Sequence, residues 1–220
     1  MPLVHLVSVA CVSAESIGLV VSAFLPLFPL NTVLYPDSLL PLYIFEKRYQ
    51  LMMKRVLSEN IPVGIVLIKR GEEVGGIAEP YDVGTSARVI ASERLSSGYY
   101  KVVVKGSKRF RISGIDYSEP YLQAEVQWLN GDQEKRDAST ELQLKEMVMP
   151  LFRKYMKVLE ENYGVTPLRE EIHTYPPAQY SYIVAEVIQV DLHEKQRLLE
   201  ADCTSERLRM ELELLERFDL

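Results

Sequence analysis

The stretch LPLFPLNTVLYPDSLLPLYIFEKRY, residues 25–49, is apolar enough to suggest a membrane segment, yet it contains Pro26, Pro29, Pro36 and Pro41. Proline fixes φ and removes a backbone donor, so prolines at this spacing forbid a continuous helix. The segment must be extended instead. It reads as a strand over 24–30, a turn at Tyr35, Pro36, Asp37 and Ser38, and a second strand over 39–43, with the prolines at strand ends, edges and turns. The following IFEKRYQLMMKRVLSE changes to helical spacing. Phe45, Tyr49, Met52 or Met53, and Val56 share one face, with Lys47, Arg48, Lys54 and Arg55 largely off it.

Working outward, the period becomes two from residue 61 to residue 129. PVGIVLIKR is a nearly continuous apolar run that suits a buried strand. After the turn GEEVGG, four more strands are expected: VGTSARVIASERL, YYKVVVKG, KRFRISGIDY and YLQAEVQWL, separated by the turn chemistry of SSG, GS and SEP. A polar linker, NGDQEKRDAST, occupies 130–140. Helical spacing then runs to the end of the chain.

In that half, Val148, Leu151, Phe152, Tyr155 and Leu159 form one stripe. Pro150 inside it is expected to bend or split the helix, at a cost of about 3 kcal/mol. Asp191 is the expected N-cap of a later helix with Glu194 as its capping-box partner. Thr204 is the expected cap of the last helix, where Leu208, Leu212 and Leu215 share a face. The first 23 residues are apolar, but they lack a basic n-region and are interrupted by Glu15. They are expected to be a disordered extension rather than a signal or a span.

Composition narrows the function classes. With 25 Lys and Arg against 31 Asp and Glu, the net charge of -6 gives no general attraction to nucleic acid or anionic lipid. Cys11 and Cys203 are too few for a cysteine zinc site or a disulfide framework. No phosphate-binding loop and no G-x-S-x-G elbow is present, and HEKQR at His193 lacks the second histidine of H-E-x-x-H. No catalytic residue, metal site or cofactor is therefore expected.

One charge run stands out: Arg88, Arg94, Lys101, Lys105, Lys108, Arg109 and Arg111 against Glu93. On a strand of period two, Arg109 and Arg111 lie opposite Phe110 and Ile112, which gives a basic strip on the outer sheet face. The strip reads either as a phosphate contact surface or as a solvated face with lysines guarding an edge. Few aromatics accompany it, which favours the second reading.

The stretch over 25–49 closely resembles the opening motif of the Lon protease N-terminal, substrate-binding domain family. Ile44, Phe45, Glu46, Arg48 and Tyr49 match the family's I-F-E-x-R-Y signature. Gly84 and Thr85 stand at its Gly-Thr pair, and Gly106, Arg109, Phe110 and Ile112 match its G-x-x-R-F-x-I pattern. The resemblance implies an α+β fold: a PUA-like β pseudo-barrel with one embedded helix over 24–129, followed after the linker by a helical bundle over 141–220.

Pro29, Pro36, Phe45, Glu46, Arg48, Tyr49, Gly84, Thr85, Arg109 and Phe110 are read as structural. Phe45 and Tyr49 would pack the helix on the barrel, and Glu46 and Arg48 would tie down backbone or each other. The chain ends without the ATPase and protease domains of Lon, so it is expected to be a stand-alone, non-enzymatic, cytoplasmic module. It would bind unfolded or extended polypeptide segments, with a separate Lon-type ATPase as a candidate further partner and no membrane. Leu39, Leu40, Leu42 and Tyr43 are the candidate substrate-binding residues, with ordinary strand packing as their competing role. RNA or DNA binding through the strip from Arg88 to Arg111 is the alternative.

Overall fold

The computed structural model describes residues 24–76, 78–130, 137–164 and 170–218. The expected extension over 1–23 and most of the expected linker lie outside the described residues.

The opening stretch folds as its prolines require. β1 (Leu25–Leu30) and β2 (Leu39–Ile44) flank a turn in which Asp37 adopts a left-handed φ of 67°, and α1 (Lys47–Glu59) follows. β3 (Val63–Arg70), β4 (Glu79–Arg94), β5 (Tyr100–Asp116) and β6 (Gln123–Trp128) complete a sheet of order β2-β5-β4-β3-β1-β6. Because β5 also pairs with β6, five strands close into a ring, and β2 extends the sheet beyond β5. β1 and β3 are parallel, joined by a crossover through β2 and α1, while the other pairs are antiparallel.

The two strands expected at YYKVVVKG and KRFRISGIDY are one strand of 17 residues. Gly106 does not turn the chain there. A Cβ at this position would lie 2.2 Å from the Tyr35 carbonyl oxygen. Glycine thus lets the 35–38 turn dock on β5, with Asp37 N–H donating to the Gly106 carbonyl (3.0 Å) and Gly106 N–H to the Ser38 carbonyl (2.9 Å). The first part of β5 pairs with β2 and the second with β6, so this one strand serves both ends of the barrel.

α1 buries Tyr49, Met52, Met53 and Val56 against Phe28, Leu30, Val63, Ile65, Val102 and Val104. At the other end, Leu25, Leu27, Val66, Phe110 and Ala124 pack together inside the ring.

The second half is helical: α2 (Ala138–Tyr163), α3 (Pro177–Val187), α4 (Leu192–Glu200) and α5 (Thr204–Glu216), with a 3-10 turn at Glu170–Thr174. α2 begins at residue 138, before the expected end of the linker. Asp137 caps it, accepting from Thr140 N–H. Pro150 neither splits nor interrupts α2. Leu144 and Val148 before it, and Phe152, Tyr155 and Leu159 after it, pack into one core with Tyr180, Val184, Leu208 and Leu215, and this burial offsets the missing donor. Asp191 caps α4 by accepting from Glu194 N–H (2.8 Å), whereas the Glu194 carboxylate pairs with Arg197. Thr204 is not the cap of α5. Cys203 holds that position, and Thr204 is the buried first residue of the helix.

Barrel and helices meet through Tyr35, Val83, Tyr182, Ala185, Leu198, Leu199 and Leu214. The Tyr35 hydroxyl donates to the Lys195 carbonyl (2.8 Å), and Gln196 Nε2 donates to the Val83 carbonyl (3.0 Å).

Candidate functional site

β2 is the terminal strand of the sheet, and among the described residues it pairs with β5 alone. Its side chains alternate as a half-buried strand requires. Leu40 and Leu42 lean on the core, and Ile44 is buried within it. Leu39 and Tyr43 are 55% and 51% exposed. Pro41 is exposed between them. The four candidate residues therefore divide between two faces, with Leu39 and Tyr43 on the outer one.

The register with β5 and β4 fixes what shares that outer face. Leu39 aligns with Lys105 and Arg88, Pro41 with Val103 and Ala91, and Tyr43 with Lys101 and Glu93. A groove of about 550 Å³ runs along residues 41–43, 91–93 and 101–103. Tyr43 lies 5.9 Å from Tyr99, edge-on, and 6.3 Å from Phe45. A recess of about 240 Å³ lies alongside β2, lined by Phe28 and Leu30 of β1, Pro41, Leu42 and Tyr43 of β2, Phe45 and Val74.

A third hollow, of about 190 Å³, lies between barrel and helices and is lined by Leu34, Leu39, Leu40, Leu192 and Lys195. Its polar wall is satisfied internally. Lys195 Nζ donates to the Ala185 and Glu186 carbonyls, both at 2.6 Å, and Ser38 Oγ donates to the Glu186 carboxylate at 2.7 Å. Burial pushes the Lys195 ammonium down to about 8, against the opposing pull of Glu186. This hollow is a cap on the end of α3 more than an open site.

Most of the signature residues make contacts within the fold. Glu46 and Arg48 pair at 3.1 Å and together clasp the β3–β4 loop: Arg48 Nη1 donates to the Gly76 carbonyl (2.6 Å), and Gly75 N–H donates to Glu46 (3.2 Å). Tyr49 packs on Phe28 with ring centroids 4.4 Å apart. Pro29 lies within β1, Pro36 within the turn, and Phe110 is fully buried. Gly84 has no room for a Cβ, which would lie 2.5 Å from the Ile65 carbonyl oxygen. Thr85 Oγ1 donates to the Leu34 carbonyl (2.6 Å), fastening the β1–β2 loop to the barrel.

Two expectations need correction. Phe45 does not pack the helix on the barrel. It precedes α1 and is 41% exposed beside Tyr43, so it adds to the outer apolar face. Arg109 does not belong to an outer basic strip. It is buried, and its Nη1 donates to the Leu199 and Ala201 carbonyls at the end of α4 (2.7 and 2.5 Å). The helical half covers this part of β5, and period two within one strand carries no sign of that cover. Arg88, Lys101, Lys105, Lys108 and Arg111 are exposed.

Sequence reasoning missed Phe45 as an exposed aromatic, along with the contribution of Pro41, Val103 and Ala91 to the face. The Pro41 alternation with Leu39 and Tyr43 was the available signal. Among the described residues no group of His, Cys, Asp and Glu could hold a metal ion, and no helix is long and apolar enough to cross a membrane.

The profile of the ATP-dependent protease La (LON) substrate-binding domain matches residues 24–217. The chain belongs to this family. Among its LON relatives, the Lon protease of Anaeromyxobacter dehalogenans is 30% identical over 203 residues, and Lon protease 2 of Myxococcus xanthus is 30% identical over 196. These alignments cover 90% and 88% of this chain but 23% of each relative, so the chain spans under a quarter of their length. The fold is similar to that of a Lon N-terminal domain protein from Xanthomonas campestris, with a TM-score of 0.61 and 23% identity over 84% of this chain and 95% of that one. It is also similar to the N-terminal domain of the Mycobacterium avium complex Lon protease, with a TM-score of 0.60 and 16% identity over 88% and 98%. The LON domain in question is a substrate-binding one, and the fold class is α+β.

Proposed function

We propose that the chain is a non-enzymatic polypeptide-binding module that takes exposed, extended apolar segments of other proteins. The observation that carries this reading is the outer face of β2, where Leu39, Pro41, Tyr43 and the adjoining Phe45 stand exposed on a terminal strand. An isolated exposed apolar residue needs no explanation, but a contiguous set beside a groove marks an interaction surface. A terminal strand also offers unpaired backbone groups along one edge. An extended chain can satisfy those groups by adding as a further strand while its side chains reach the apolar face. The family's substrate-binding role supports the same conclusion. In this reading the module is an adaptor in protein quality control, delivering clients to a separate Lon-type ATPase.

The test is titration of the folded chain into a fluorescently labelled, reduced and alkylated protein that cannot refold. Micromolar association is expected. The double variant Leu39→Ser, Tyr43→Ser should weaken it about tenfold or more, equivalent to about 1.4 kcal/mol. Absence of association at high micromolar concentration, with circular dichroism showing the chain folded, would remove the proposal.

A further inference from the structure

The outer face is not uniformly apolar, and its charges are arranged by row. Rows recur every second residue along β2 and β5, about 6.7 Å apart, while on β4 a bulge between Val89 and Ala91 makes the step from the Arg88 row to the Ala91 row three residues. The central row is Pro41, Val103 and Ala91. On one side of it the row of Tyr43 contains Lys101 directly across from Glu93, so its charges balance. On the other side, the row of Leu39 contains Lys105 directly across from Arg88.

Two cations opposed across neighbouring strands repel one another. Asp37 relieves half of this by pairing with Lys105 at 2.8 Å. Arg88 is exposed and has no carboxylate within ion-pair distance among the described residues. The face thus has an apolar middle, a neutral end and a cationic end.

Resting on the polypeptide-binding reading, we propose that this face selects extended segments with an Asp or Glu side chain two residues from the apolar residue seated over Val103. The spacing follows from the rows. A client segment lying in the groove on this face, rather than beside the free edge of β2, repeats with the same period, so the residue two positions from the one over Val103 falls over Lys105 with Arg88 beside it. A carboxylate there would sit between the two cations and neutralise the one positive charge, on Arg88, that Asp37 leaves unpaired. A basic residue there would add a third positive charge.

The experiment uses the full chain and three labelled 12-residue peptides that share an extended apolar core. They differ only at the position two residues from the central leucine, which is Glu, Gln or Lys. At low salt the Glu peptide is expected to bind up to about fivefold tighter than the Gln peptide, and the Lys peptide more weakly than both. At 1 M salt, where the Debye length is about 3 Å, the three affinities should converge. Arg88→Gln should compress the order and Arg88→Glu should reverse it. Both changes sit at an exposed position, and unchanged thermal midpoints would exclude a folding defect.

Equal affinities for the three peptides, or an order untouched by either variant, would overturn this selectivity while leaving polypeptide binding in place. Failure of all three peptides and of the unfolded protein to bind would bring down both readings. A single-stranded oligonucleotide that binds more tightly than the Glu peptide, and is lost in Arg88→Glu, would assign the cationic row to phosphate and overturn the proposal.

Discussion

The two strands of the opening stretch, LPLFPL and LLPLYI, have nearly the same composition and opposite fates. Every residue of β1 is buried, whereas β2 alternates between exposed and covered positions until Ile44. The cause is topological. β1 lies between β3 and β6, with the ring interior against Leu25 and Leu27 and with α1 against Phe28 and Leu30. β2 has one neighbour strand and one covered face. A continuous apolar run is what a doubly covered strand needs, and on a terminal strand the same run leaves apolar side chains in water. The part of this stretch that suits a ligand is therefore the part the fold does not use.

The contrast is open to a direct break at β1. Phe28 is buried against the Tyr49 ring at 4.4 Å. Phe28→Ala is expected to destabilise the chain by about 3–5 kcal/mol, read from urea unfolding. A loss below about 1 kcal/mol would mean that β1 is not the central strand its burial indicates.

The basic run contains the same kind of contrast, and it shows where sequence reading stops. Arg88 on β4 and Arg109 on β5 belong to one basic run of the sequence, yet Arg88 is exposed and Arg109 is buried. Local patterning pointed to the strands, to the helical spacing over 44–59 within which α1 lies, and to the capping of α4 by Asp191, because each depends on neighbours within a few residues. Which face the helical half would cover depends on contacts some 90 residues away, such as Arg109 to Leu199. Gly106 misled for a related reason: glycine marks a turn or a close approach, and only the docking of Tyr35 decides between them. The four candidate residues were legible as an apolar strand, but their division between two faces required the register.

Arg109→Met, which keeps the aliphatic stem, should cost about 2–4 kcal/mol by leaving two buried carbonyls without their charged donor. Hydrogen exchange should show α4 losing protection before the barrel does. Equal loss in both parts would contradict a specific tie between Arg109 and the end of α4.

An effect that is smaller per pH unit comes from a buried carboxyl in the helical half. Glu211 lies on α5 with Ser181 Oγ donating to it (2.6 Å), and Arg207 Nε donates in turn to Ser181 (2.8 Å). Burial pushes Glu211 up to about 8, against the lowering effects of Arg207 and of the Ser181 hydrogen bond. The folded chain therefore holds a proton that the unfolded chain releases near pH 4.5. Stability contributed by this group is complete below that pH. It declines as pH rises toward 8, with a limiting slope of about 1.4 kcal/mol per pH unit. Lys195, lowered to about 8, acts in the opposite direction and only above that pH. Glu211→Gln should flatten the slope between pH 5 and 8 in chemical-denaturation series. An unchanged slope would place the proton elsewhere.

The smallest effect on stability should come from the residue with the largest expected effect on binding. Tyr43 is 51% exposed, and its interactions on the outer face are the ring contacts with Tyr99 and Phe45. Tyr43→Ser should cost at most about 1 kcal/mol, since exposed aromatic pairs contribute little beyond their modest burial. A core tyrosine would behave otherwise, because its removal leaves a cavity. If Tyr43→Ser unfolds the chain as readily as Phe28→Ala does, β2 is packed like β1 and the docking face is lost. If the variant stays folded while affinity for unfolded polypeptide falls, the exposed side of β2 is kept for a partner rather than for the fold.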